Sequence, residues 1–143
     1  MSNYRAITLA ASAAHTDAAP TNGDTIAVDG WERALFLLVF TAKGTDAGDT
    51  CDVYVDVSPD GGTTWLNAVH FTQVAGNAAD ASTEYAVLYA NTPGTSVVTA
   101  TSDAASGAVR PTLFGNALRA RWAVANAGTD DESFTFSVKA FLE

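Results

Sequence analysis

The chain has 143 residues, 48% of them hydrophobic and 16% charged, with one cysteine; 16 acidic side chains against 7 basic ones give a formal net charge of -9. That length suits one compact domain with enough apolar material for a core. The acid excess argues against nucleic-acid and anionic-membrane partners, which need a basic surface, and a single cysteine excludes an intrachain disulfide or a thiolate metal cage.

Alternation at period two, bounded by Gly, Asp, Asn, Thr and Pro, dominates the chain, and helical periodicity is almost absent. The first predicted strand covers residues 4–11. It belongs to a segment, residues 1–24, read as an N-terminal strand or arm and a loop. Residues 25–143 are read as a β-sandwich, in one domain overall. The start lacks the basic residues and long apolar run of a secretory signal. The longest apolar run, residues 34–40, is far below the roughly 20 residues of a membrane helix. The expectation is therefore synthesis in a host cytoplasm without membrane insertion.

Further strands are predicted at 25–28, 34–40, 50–58, 65–74, 83–89, 96–101, 117–125 and 133–141. The 34–40 run does not alternate, and its aromatic and β-branched content predicts a strand buried on both faces. In 50–58, Cys51, Val53, Val55 and Val57 share one face, opposite Asp52, Tyr54 and Asp56. In 117–125, Leu118, Ala120, Trp122 and Val124 oppose Arg119 and Arg121. In 133–141, Phe134, Phe136, Val138 and Ala140 oppose Thr135, Ser137 and Lys139. The class is all-β: one antiparallel β-sandwich or jelly roll of about eight or nine strands, its strand order left open.

One string stands out between two strands: Ser58-Pro59-Asp60-Gly61-Gly62-Thr63-Thr64-Trp65. Proline sets a turn, Asp60 can accept from nearby amides, and the glycines supply positive backbone angles. Ser58, Asp60, Gly62, Thr64 and Trp65 match the Asp-box hairpin of sialidase-type β-propellers, which implies a structural turn rather than a catalytic site. The remaining reactive residue types form no catalytic pattern. The chain has two histidines, His15 and His70, and no third nitrogen or thiolate ligand for zinc. No Gly-x-Ser-x-Gly elbow accompanies the serines. Cys51, on the apolar side of its strand, reads as a small buried hydrophobe. Two acidic strings, residues 46–52 and 129–132, read as solvated turns, with calcium as the alternative use of their carboxylates. No catalytic residue, metal site or cofactor is assigned. Arg110, Arg119 and Arg121 gather near the C-terminus and are candidates for an interface with an acidic partner or another copy.

Residues 48–65, the following His70-Phe71-Thr72-Gln73-Val74-Ala75-Gly76-Asn77, and the ending with Val109-Arg110-Pro111 and Leu118-Arg119-Ala120-Arg121-Trp122 resemble small virion structural proteins of tailed bacteriophages. These are of the capsid decoration or minor head and tail type. The resemblance covers roughly residues 31–141. It implies a non-enzymatic β-sandwich or jelly roll located in the virion. It also implies a homotrimer that contacts the major capsid protein or another virion protein, and it carries no catalytic residues. The leading expectation is a capsid decoration protein that stabilises the shell through homo-oligomeric contacts. The alternative is a carbohydrate-binding sandwich on a virion tail or an enzyme, with Trp31, Trp65, Tyr85 and Tyr89 as the sugar-facing rings.

Overall fold

A computed structural model describes residues 4–16, 20–44, 46–90, 92, 94, 96–110, 115–125 and 133–143. The acidic string 129–132 lies outside them. The strands in chain order are β1 (Arg5–His15), β2 (Thr21–Asn22), β3 (Ile26–Ala27), β4 (Arg33–Ala42), β5 (Thr50–Ser58), β6 (Leu66–His70), β7 (Val74–Ala75), β8 (Ser82–Tyr89), β9 (Ala108–Val109), β10 (Ala117–Ala125) and β11 (Phe134–Leu142). They form a four-stranded sheet, β1-β11-β4-β8, and a seven-stranded sheet, β2-β10-β5-β6-β9, with β3 beside β10 and β7 beside β5.

The pairing is nested. The first strand pairs with the last, β2 and β3 pair with β10, β4 pairs with β8, and β5 pairs with β6, all antiparallel. A chain folded as one long hairpin and then rolled produces this order, in which successive strands cross between two sheets. It is the jelly-roll arrangement. Period-two alternation drives the closure, because each long strand has one apolar face to bury. From the four-stranded sheet come Leu9, Phe36, Leu38, Phe40, Leu88, Phe134, Phe136 and Val138. Val53, Val55, Val57, Leu118, Trp122 and Val124 meet them from the other sheet, and all are buried. Trp122 and Phe40 each meet the Phe136 ring in tilted or edge-on contacts at 5.6 and 5.4 Å between centroids.

Three expectations need correction. Residues 96–101 form no strand; Val97 is fully exposed and Val98 is half exposed, so no described segment pairs with or covers them. The short β9 comes later instead, against β6. The predicted strand 65–74 is interrupted after His70, where the Gln73 amide donates to Ser106 Oγ at 2.8 Å rather than to a neighbouring strand. Finally, β4 is buried on one face only: Ala34, Phe36, Leu38 and Phe40 are buried, whereas Leu35, Leu37 and Val39 are half-buried on the outer side. Of the two roles open to the N-terminal segment, residues 5–15 take that of a strand, paired along β11 with two irregularities in register.

Candidate functional site

The outer face of the seven-stranded sheet holds nearly all the polar residues that the sequence placed on its strands. Register decides which of them meet. Arg119 lies opposite Asp56, and Arg121 opposite Tyr54, across β10 and β5; His70 lies opposite Tyr54 across β5 and β6. Asp56 is buried at 2% exposure and accepts from both arginines: Arg119 Nε and Arg121 Nε each lie 3.0 Å from Oδ2. Arg121 Nη2 also donates to Asp56 Oδ1 at 3.2 Å and to Asp103 Oδ1 at 2.5 Å. Burial pulls the Arg121 pKa down. The hydrogen bonds to Asp56 and Asp103 outweigh that pull and hold it above the ordinary arginine value.

The rings complete the layer. The Arg119 guanidinium sits 4.3 Å from the Trp65 ring centroid and that of Arg121 sits 4.1 Å from Tyr54. The Tyr54 ring lies 4.2 Å from His70. Burial, and then the nearby Asp52 and Asp103 charges, push the Tyr54 hydroxyl pKa up. His70 Nε2 lies 2.8 Å from Asp52 Oδ1, and Nδ1 lies 2.8 Å from the Ala104 carbonyl. Both neighbours are acceptors, so each contact is a hydrogen bond when the ring nitrogen that faces it carries the proton. Gln73 Nε2 donates to Asp52 Oδ2 at 2.8 Å.

The segment 102–110 crosses over this layer and is pinned to it. The Ala104 amide donates to Asn67 Oδ1 at 2.8 Å, while Asn67 Nδ2 donates to Asp56 Oδ1 at 3.2 Å. Arg110 donates through Nη1 to the Ser102 carbonyl at 2.5 Å, and its own amide donates to the Ala68 carbonyl at 2.8 Å. Arg110 therefore secures the strap from the side, apart from Arg119 and Arg121. Sequence reading missed Asp56, Asn67, Asp103 and the His70–Asp52 pair. The alternation in β5 and β10 had already put the acids and the arginines each on one face. Only the adjacency of those strands was lacking.

The Ser58–Trp65 string forms a closed turn. Ser58 Oγ accepts from the Gly62 amide at 2.8 Å and the Asp60 amide at 3.3 Å, and it donates to Asp60 Oδ1 at 2.8 Å. Asp60 Oδ1 accepts from the Thr64 amide at 2.7 Å. That amide first, with the Thr64 and Ser58 side chains, holds the Asp60 carboxyl below its usual pKa. Gly62 has φ of 102°, a conformation that disfavours any side chain. The Trp65 ring and Thr25 lie against the turn at Gly62, and the Trp65 ring carries Arg119 on its face. Four of the five motif residues therefore build the hairpin by hydrogen bonds, and the fifth links it to the ionic layer.

Cys51 is fully buried, and burial, with some help from Asp52, pushes its thiol pKa up to about 12. Among the described residues no group of three His, Cys, Asp or Glu side chains is placed to share a metal ion. No described helix is long and apolar enough to cross a membrane.

The other outer face, on the four-stranded sheet, has the opposite character. Cross-strand register aligns Ala6, Phe141, Leu35 and Val87 in one row. Lys139, Leu37 and Tyr85 align in the next row, and Arg33 and Tyr89 in another. Tyr4, Tyr85 and Tyr89 are 69%, 68% and 49% exposed. Arg33 pairs with Glu143, and that hydrogen bond holds the Arg33 pKa above its ordinary value.

Fold and faces together define a jelly-roll sandwich, one outer face closed by its own chain and the other covered by no described segment. No protein-family profile matches the sequence, and no curated protein sequence does. Two solved structures share the fold. A chain in the structure of infectious bursal disease virus, Gx strain, superposes with a TM-score of 0.52 at 11% identity, over 98% of this chain and 31% of that one. A chain in the crystal structure of the infectious bursal disease virus VP2 subviral particle gives 0.54 at 10% identity, over 98% and 32%. The present chain thus spans about a third of the length of those proteins.

Proposed function

We propose that the protein is a structural component of a virus particle, specifically a bacteriophage capsid decoration protein that stabilises the shell through contacts among its own copies and with the major capsid protein. The supporting observation is the nested jelly roll, similar over 98% of its length to chains found in virus particles. The polar residues of the strands serve the fold: Asp56, Arg119, Arg121, His70 and Asp52 all bind one another or the strap. The role requires shape and surface rather than a reaction. Binding to the closed shell and not to its separated parts favours the closed state by mass action.

The carbohydrate reading loses two of its four rings. Trp31 is buried and donates from Nε1 to the Gly115 carbonyl at 3.1 Å, and Trp65 is stacked on Arg119. Mass spectrometry of purified phage particles, with heads and tails separated, tests the proposal. Recovery with heads in numbers comparable to the shell protein is expected. Absence from particles contradicts it, and recovery with tails moves the role away from decoration.

A further inference from the structure

We infer that the outer face of the four-stranded sheet, and not the arginine layer, is where this chain packs against a second copy of itself. The inference deepens the virion reading and rests on it for its purpose, since a decorating protein acts in several copies. Its geometry stands independently.

The first observation is the distribution of charge. The sequence has 16 acidic residues. The strands of this sheet read RAITLAASAAH, RALFLLVFTA, STEYAVLY and FTFSVKAFL, and contain one acid, Glu84. Glu84 is opposite the buried Leu38, so it belongs to the inward-facing set, and it turns aside to accept from Thr72 Oγ1 at 2.8 Å. The outward strand positions thus carry two cations, Arg33 and Lys139; at the sheet end Glu143 pairs with Arg33, and Glu32 lines a cleft with both. Two molecules of net charge -9 repel one another across most approaches. Within its strands this face brings no outward acids together, and the two at its end, Glu32 and Glu143, flank Arg33.

The second observation is its chemistry. The row of Phe141, Leu35 and Val87 lies beside exposed tyrosines, around a cleft of about 500 Å³ lined also by Tyr4, Tyr89 and the Arg33–Glu143 pair. Tyrosine, phenylalanine and arginine are enriched at protein contacts, whereas aspartate, glutamate and lysine are depleted. A bare apolar surface of this kind marks an interaction site. The third observation is elimination. The arginines on the opposite face already bind Asp56 and Asp103, and the strap crosses above them. Recruiting them for a neighbour would break a buried ionic cluster.

Sedimentation equilibrium of the full chain tests this, using wild type, Tyr85→Glu and Tyr89→Ser at low and high salt. Wild type is expected to associate. Tyr85→Glu should weaken association at least about tenfold, and Tyr89→Ser less, with unchanged circular dichroism. Salt should leave association unchanged or tighten it, because screening relieves repulsion between the acidic bodies. A wild type that stays monomeric overturns the inference, as does association that both substitutions leave untouched or that salt dissolves. Failure here leaves the virion proposal intact if the protein is still recovered with heads. Loss of head recovery with self-association retained overturns that proposal instead.

Discussion

The two outer faces of the sandwich carry the same kind of scaffold and opposite surface chemistry. On the seven-stranded sheet, alternation places Asp52, Tyr54 and Asp56 beside Arg119 and Arg121, and the chain closes over them. On the four-stranded sheet, alternation places Leu35, Leu37, Val87 and Tyr85 outward, and no described segment covers them. The contrast teaches that a polar outer face need not be the functional one. Polar residues with partners inside the chain are part of the fold, and apolar residues without cover are what remains for another molecule.

The comparison can be broken most strongly at Asp56. Asp56→Ala removes the carboxylate shared by two arginines that are themselves largely buried, leaving buried charge uncompensated. The expected loss is about 3–5 kcal/mol in urea unfolding. A loss below ~1 kcal/mol would mean that the cluster is well solvated and available to partners. A smaller effect belongs to the turn. Ser58→Ala strips the acceptor from the Gly62 and Asp60 amides, at an expected cost of about 1–2 kcal/mol. Smaller still, Tyr85→Ser should change monomer stability by no more than about 0.5 kcal/mol, because its ring is 68% exposed. A large loss there would show that the bare face holds the fold together.

An alkaline prediction sharpens the contrast from inside the sheet. The Cys51 thiol, with an ordinary value of 9.0, is pushed up to about 12 by burial, and the Tyr54 hydroxyl is pushed up in the same way. Both groups have raised pKa values in the folded state, so folding favours their protonated forms. That stability is fully present below about pH 9 and is lost as pH rises from there toward about 12. Unfolding followed from pH 8 to 11 should show a progressive loss that is smaller in Cys51→Ala. At pH 8, alkylation of native Cys51 should be on the order of 1000-fold slower than in the unfolded chain. Rapid alkylation of the native protein would contradict the sealed interior.

Much of the fold was legible in the sequence because its long strands alternate cleanly. β5 and β10 coincide with the predicted 50–58 and 117–125, and β11 is offset by one residue from the predicted 133–141. Residues 96–101 misled because Val97 and Val98 have strand-forming side chains but no neighbouring strand to pair with. The Asp-box turn was readable as a turn with Asp60 as acceptor and glycines at positive φ, since its residues act within a few positions of one another, although the Ser58 hydroxyl's bonds were not foreseen. The ionic layer was not, because Asp56 meets Arg119 and Arg121 across 63 and 65 positions of chain. Each strand's polar face could be seen alone, but which strands lie side by side is a property of the nested topology. The same holds for the bare face, whose row of Ala6, Phe141, Leu35 and Val87 draws on four separate strands.

Hydrogen exchange on the protein at dilute and at associating concentration tests the division between the two faces most directly. The amides of β8, Ser82–Tyr89, should gain protection on association, with those of β4, while those of β10, Ala117–Ala125, stay unchanged. Protection that appears along β10 and the strap instead, with β8 still exchanging freely, would contradict the account.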